Sequence, residues 1–266
     1  MEIDEFLTRI DVQKANPSVF RISERSILDE FKGDSKGEIR GIWSHTTTAD
    51  RSISVVGFSK YDKPFPEKVF AMSAKDLRNL LAETDKIEIE DSYLHASGDM
   101  DFRFKLEVME KGKGLHLTYD NPSITLPKEA IQKIIKIDSI VDSTSAFVDT
   151  DGEFVTITLK NKESNSGKVK IPSTFPEFHA RFEERFVEAL KLIGNNDATL
   201  NLDGYDPKRE HKAHGLAKLE LRDSDTIISY YINEVTQKVQ EQKKTKKPEE
   251  KEFGTEIENF DESGDN

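Results

Sequence analysis

The two halves of this chain run through the same order of elements. The stretch from Phe20-Arg21-Ile22-Ser23 to Phe31-Lys32 lies over Ile124-Thr125-Leu126-Pro127 to Ile135-Lys136 at an offset of 104. Further on, Leu80 to Ile89 lies over Leu192 to Leu200 at an offset of 112, and in both a helical pattern runs directly into a strand pattern. Each half reads strand, helix, several strands, helix, several strands. Chance likeness between amphipathic helices is the alternative, and the matching order counts against it. A duplicated order implies two similar units built on one plan.

Most of the chain between the ends has strand character. Ser52 to Phe58, Phe102 to Val108 and Phe154 to Leu159 alternate β-branched or aromatic residues with polar ones, and Gly, Asp and Asn mark the turns. Four short segments carry apolar residues at helical spacing instead. They are Ser23 to Lys32 (Ile27, Leu28, Phe31), Ser73 to Ala82 (Leu77, Leu80, Leu81), Pro127 to Lys136 (Ile131, Ile134, Ile135) and Ala180 to Ile193 (Phe182, Phe186, Leu190). Pro127 suits a first helical position and Gly194 a helix stop. Ile3, Phe6, Leu7 and Ile10 suggest one further amphipathic helix before Asn16-Pro17-Ser18.

The last residues differ from the rest. From Thr236 to Asn266 there are six Lys and nine acids with sparse apolar residues, so 236–266 reads as a disordered charged tail. The whole chain of 266 residues has a formal net charge of -12 and no cysteine. Absence of Cys excludes a disulfide scaffold, a thiolate metal site and a Cys nucleophile. No apolar run approaches the roughly 18 residues of a membrane span. The acidic start lacks a signal peptide's basic region. The expectation is a soluble, cytoplasmic protein with no membrane partner. An acidic balance also speaks against a generic nucleic-acid coat, because phosphate binding draws on Lys and Arg.

No catalytic constellation is present. The sequence holds no Gly-rich phosphate loop, dinucleotide fingerprint or Gly-x-Ser-x-Gly elbow. Asp149-Thr150-Asp151-Gly152 between two strands is turn chemistry rather than a metal pair. His211 and His214 are spaced like ligands on a helix but lie in a charged stretch without a third ligand. No enzyme activity, metal or cofactor is expected.

Three stretches of the chain carry a family likeness. Ile124 to Ile131, continuing through Ile140-Val141-Asp142-Ser143 to Asp151-Gly152-Glu153-Phe154, resembles the helix and hairpin that open the second domain of DNA sliding clamps of archaeal, eukaryotic and T-even-type phage origin. Val69 to Leu81 resembles the second helix of their first domain. Gly215 to Leu221 with Ile227 to Ile232 resembles their closing hairpin. The likeness spans roughly Phe20 to Val235. It implies an α+β fold of duplicated sliding-clamp domains, with antiparallel sheets outside and short helices lining a ring. It places domain 1 at 20–110, a connector at 111–123 and domain 2 at 124–235, with 1–19 as an N-terminal extension.

The resemblance also implies a function: a homotrimeric processivity factor that encircles duplex DNA and tethers the replicative DNA polymerase. Its other partners are a clamp loader and further clamp-binding peptides. A ring holds DNA by topology, so its lining needs only sparse cations facing phosphates. The helices offer Arg25 and Lys32, Lys75 and Arg78, Lys133 and Lys136, and Arg181 and Arg185. The family's client-peptide pocket maps to Leu115, Leu117 and Tyr119 beside the connector and to Tyr230, Tyr231 and Ile232 on the last strand. Subunits are expected to join by pairing Phe102 to Met109 with Lys168 to Ile171. An acidic exterior is expected to confine positive potential to the helix faces. A β-rich viral structural or assembly protein with no DNA-tethering role is the alternative.

Overall fold

A β-strand sends alternate side chains to opposite faces, and the central strands of this protein bury both. The structure, a computed structural model, describes residues 1–23, 40–98, 100–108, 123–203 and 216–233. All of these fall within one compact unit, Met1–Val235. The helix expected over Ser23 to Lys32 lies outside the described residues beyond Ser23, and so do 236–266, His211, His214 and the connector up to Pro122.

The first half opens with α1 (Ile3–Ile10), followed by β1 (Ser18–Ser23), β2 (Gly41–Thr47), β3 (Ile53–Lys60) and β4 (Phe70–Met72). It continues with α2 (Ala74–Glu83), β5 (Thr84–Glu90), β6 (Tyr93–Gly98), β7 (Phe102–Lys105) and β8 (Glu107–Val108). The second half has β9 (Ser123–Leu126), α3 (Lys128–Val141), β10 (Ser145–Thr150), β11 (Phe154–Lys160), β12 (Ser166–Pro172) and β13 (Phe178–Glu183). It ends with α4 (Glu184–Ile193), β14 (Ala198–Asp203), β15 (Leu216–Asp223) and β16 (Thr226–Asn233).

The strands form three antiparallel sheets. Nine lie in the order β8-β4-β1-β2-β3-β16-β15-β14-β9, four in the order β12-β11-β10-β13, and three in the order β5-β6-β7. The pair β3·β16, from Ser59↔Thr226 to Ile53↔Ile232, welds the two halves into one sheet. The four helices among the described residues lie in a row, α2 against α1, α1 against α4 and α4 against α3.

The repeat is present, but its register differs from the expectation. Among the described residues each half contains a helix, four strands, a second helix and three strands, with β8 added at the end of the first half and β9 at the start of the second, so α1 corresponds to α3 and α2 to α4. Residues 1–19 therefore supply the first helix of the first half rather than an extension. Phe6, Leu7 and Ile10 are buried to 1% exposure or less, each stabilising by about 2 kcal/mol. The sequence comparison overlaid β1 on β9 because both are short apolar strands, and spacing alone does not say which helix packs on them.

Local chemistry explains the helix ends. Asp4 and Glu5 sit in the first turn of α1 and Arg9 in its last, as the helix dipole favours. The Ser73 Oγ caps α2 by accepting from the Asp76 N–H at 3.0 Å. Helix α3 runs past the expected Lys136 to Asp142, whose left-handed φ of 52° ends it. Gly194, at φ 67°, stops α4. In the β10–β11 turn, Asp151 Oδ1 accepts from the Glu153 and Phe154 N–H groups at 2.9 and 2.7 Å while Gly152 adopts φ 87°. Phe102 to Val108 is not one strand: β7 belongs to the three-stranded sheet, whereas β8 pairs with β4.

Candidate functional site

The exposed side of the helix row is where a lining would have to be. Lys75 on α2 and Lys133 and Lys136 on α3 are exposed there. Lys128 is exposed as well and was missed, since it falls outside the apolar spacing that marks the helix. Arg78 is only 31% exposed because its guanidinium donates to Thr8 Oγ1 at 2.8 Å and lies 3.7 Å from Asp4, tying α2 to α1. Arg25 and Lys32 lie outside the described residues. Acids share this surface, with Asp4, Glu5, Asp76, Glu83, Glu129 and Glu184 all exposed. Among the described residues, the helix side is therefore of mixed charge rather than a purely basic face.

Two of the expected cations occupy other places. Arg181 is not helical: it stands on β13, on the sheet face opposite the helices, donating to Ser145 Oγ at 3.1 Å. The apolar spacing of Phe182, Phe186 and Leu190 extends back through strand residues whose alternation happens to match it. Arg185 is on α4 but is buried, 6% exposed. It donates to Glu188 Oε2 at 2.5 Å, to the Gln13 carbonyl at 3.2 Å and to Ser52 Oγ at 3.2 Å, with Asp50 at 3.7 Å. Burial works against its charge, but the hydrogen bond and charge of Glu188, aided by Asp50, hold its pKa above the ordinary value. It fastens α4 to the loop after α1 and to the β2–β3 hairpin, and no phosphate can reach it without breaking that network.

The last strand alternates strictly. Tyr230 and Ile232 point into the main core, and the Tyr230 hydroxyl donates to the Arg9 carbonyl at 2.9 Å. They are structural residues, not pocket lining. Tyr231 points to the opposite face and forms a second apolar cluster with Trp43, Val56 and Phe58, against which Val19 packs. Burial raises its hydroxyl pKa to about 12. The Arg21 guanidinium lies 4.4 Å from the Trp43 ring, and Glu220 beside the cluster is held ionised by Lys218 and Arg222. Trp43, Val56 and Phe58 were missed because strands buried on both faces lose the period that distinguishes them. Leu115, Leu117 and Tyr119 lie outside the described residues.

Among the described residues the three sheets end in β8 and β9, in β12 and β13, and in β5 and β7; two of these edges, β12 and β7, are bordered by exposed apolar side chains. The exposed large hydrophobic side chains sit beside them: Ile140, 76% exposed, next to β12, and Phe104 and Met100, 36% and 48%, on and before β7. Lys133, Lys136, Ile137 and Ile140 of α3 and Lys168, Val169 and Lys170 of β12 line one groove along the first edge.

Solved structures share this arrangement. A chain of the PCNA2–PCNA3 complex from Sulfolobus tokodaii superimposes with a TM-score of 0.58 at 11% identity, covering 89% of this chain and 98% of that one. A. fulgidus PCNA, solved with the C-terminal region of FEN-1 bound, gives 0.59 at 14% identity, covering 88% and 96%. Proliferating cellular nuclear antigen from Entamoeba histolytica gives 0.57 at 14%, covering 87% and 96%. No family model and no curated protein sequence matches the chain. The chain has the DNA sliding-clamp fold, with two clamp units built from one plan.

Proposed function

We propose that three copies of this chain close into a ring around duplex DNA and tether a DNA polymerase, making the protein a processivity factor. The carrying observation is that the two edges equivalent to the internal junction, β12 and β7, are open and bordered by exposed apolar side chains. Within the chain, β3 joins β16 and fuses the sheets of the two halves. By the repeat, β12 is the counterpart of β3 and β7 the counterpart of β16, and both lack a partner among the described residues. A β12·β7 junction between copies would repeat the internal one and cover Ile140, Phe104 and Met100. Unpaired strand edges bordered by apolar side chains are surfaces that pair.

In such a ring the helix row faces the DNA. Lys75, Lys133 and Lys136, with partial help from Arg78, supply sparse phosphate contacts suited to sliding rather than base readout. The cluster of Trp43, Val56, Phe58 and Tyr231 is our candidate seat for the apolar peptide of a polymerase, clamp loader or other client. The work is tethering, with no catalytic residue.

Native mass spectrometry should find a species near 91 kDa, three copies of 30.3 kDa. The loaded protein should stay on nicked circular DNA and run off once the circle is cut. A strict monomer at high concentration, or equal retention on circular and linear DNA, refutes the ring.

A further inference from the structure

The outer face of the proposed junction, opposite the helices, is cationic. On the four-stranded sheet, Lys168, Thr158, Phe147 and Arg181 form one cross-strand row, and Lys170, Thr156, Asp149 and His179 form the next. Lys160 projects on the same face. Its Nζ lies 4.8 Å from the Phe147 ring centroid, and the Arg181 guanidinium lies 5.6 Å from the same ring. Lys170 Nζ lies 5.5 Å from the Phe154 ring. On the three-stranded sheet, Arg103 and Lys105 project outward from β7, opposite His95 and Tyr93, with the Arg103 guanidinium 3.9 Å from the Tyr93 ring.

None of these six cations is in an ion pair among the described residues. Of the acids on these faces, Asp149 accepts from His179 at 2.8 Å and Glu88 pairs with Lys86 at 2.6 Å, while Glu183, in the row of Lys160, and Glu90, in the row of Lys105, are exposed; the cations outnumber them. Aromatic faces hold the cations in place without neutralising them. Joining β12 to β7 with their core faces aligned puts Lys168 and Lys170 on the same outer face as Arg103 and Lys105, and side by side where the strand centres overlap, because same-face side chains meet across a pair. Like charges directly opposite are destabilising. The internal junction has Val56, Phe58 and Tyr231 at the corresponding outer positions. The two junctions of one fold therefore differ in chemistry, one apolar and one basic.

We infer that this outer junction face binds an acidic polypeptide segment of a partner protein, and that such binding favours the closed ring. The inference rests on the ring reading for Arg103 and Lys105, while Lys160, Lys168, Lys170 and Arg181 lie within one copy. An acidic peptide fits better than nucleic acid for two reasons. The chain carries a net charge of -12, so a long polyanion is repelled by most of its surface, whereas a short segment meets only the local cations. The cations also run along two adjacent strand edges, where an extended strand with an acid at every second residue matches their spacing of about 6.6 Å.

The test uses the full chain and a fluorescein-labelled twelve-residue peptide of alternating Glu and Val or Ser, with a Gln-for-Glu control. A single-stranded and a duplex oligonucleotide of similar length serve as competing probes. Anisotropy should show binding of the Glu peptide at low salt, weakened as salt rises, with none for the Gln peptide. K168Q with K170Q should weaken it about tenfold, the loss of two partly exposed charge contacts. R103Q with K105Q should weaken it similarly, provided native mass shows the trimer. Added Glu peptide should raise the trimer fraction at dilute protein. Trimer without Glu-peptide binding, unchanged affinity in both double variants, or tighter binding of either oligonucleotide overturns this inference while leaving the ring intact. Absence of the trimer, with peptide binding lost only in K168Q/K170Q, overturns the ring and the coupling to closure.

Discussion

The Arg9 guanidinium donates to the Leu192 carbonyl at 2.6 Å and to that of Ile193, bridging residues 183 and 184 positions apart. It thereby caps the C-terminus of α4 with a cation from α1, where the helix dipole favours one. Glu5 accepts from the same guanidinium at 2.6 Å. Arg9→Met should lower stability by about 1–2 kcal/mol, read as a lower urea midpoint. On the repeat, Arg9 corresponds to Lys133 just as Thr8, which bonds α2, corresponds to Gln132, which bonds Gly194. Lys133→Met should then weaken the trimer while the monomer's melting temperature stays put; an unchanged assembly would show that Lys133 has no junction role.

Gly57 on β3 sits where α1 touches the sheet. A Cβ there would come within 2.7 Å of the Phe6 ring and 3.2 Å of Ile10. Gly57→Ala should cost about 1–3 kcal/mol through overpacking, measured by chemical denaturation. A variant as stable as the parent would mean that α1 does not pack on β3 in solution.

Arg185 and the exposed lysines separate structure from function. Arg185→Ala leaves Glu188 and the Gln13 carbonyl without their partner and should destabilise by about 3–5 kcal/mol. Lys75→Ala with Lys136→Ala should leave stability within about 0.5 kcal/mol yet shorten retention on circular DNA. Retention that matches the parent would favour a structural or assembly role for the protein.

The two neighbouring tyrosines should behave oppositely. Tyr230→Phe removes a buried hydroxyl's hydrogen bond to the Arg9 carbonyl and should cost about 1–2 kcal/mol without touching client binding. Tyr231→Ala should abolish capture of an apolar client peptide in calorimetry. Equal loss of peptide binding in both would show that the pocket assignment to the outer face is wrong.

Acid should act through Asp138 and Glu220. Burial opposes ionisation of each, but Lys191 and Ser143 hold the Asp138 pKa below 3.8, and Lys218 and Arg222 hold that of Glu220 below 4.5. Folded values below the unfolded ones contribute stability that is fully present above about pH 5 and lost as pH falls through the folded pKa values. The urea midpoint should decline as pH falls below about 4.5, more shallowly in Glu220→Gln. A midpoint that rises on acidification would contradict the sign.

The sequence by itself determined the duplicated α+β plan, the turn at Asp151-Gly152, the stop at Gly194 and the helical character of Ile3 to Ile10. These depend on neighbours a few residues apart, through periodicity, capping and backbone freedom. The family resemblance also pointed to Phe102 to Met109 and Lys168 to Ile171 as joining edges, and β7 and β12 are edge strands within those stretches. What only the tertiary structure decided was which face each residue meets. Residues 1–19 belong to the core because α1 finds β3 and β16, and Arg185 is buried because Asp50, Ser52 and Gln13 arrive from the other half. Tyr230 and Tyr231, adjacent in sequence, part company because a strand buried on both sides shows no regular alternation of apolar and polar residues to mark its faces. Charge, burial and pairing across more than a hundred residues are properties of the packed sheets, and local pattern carries no record of them.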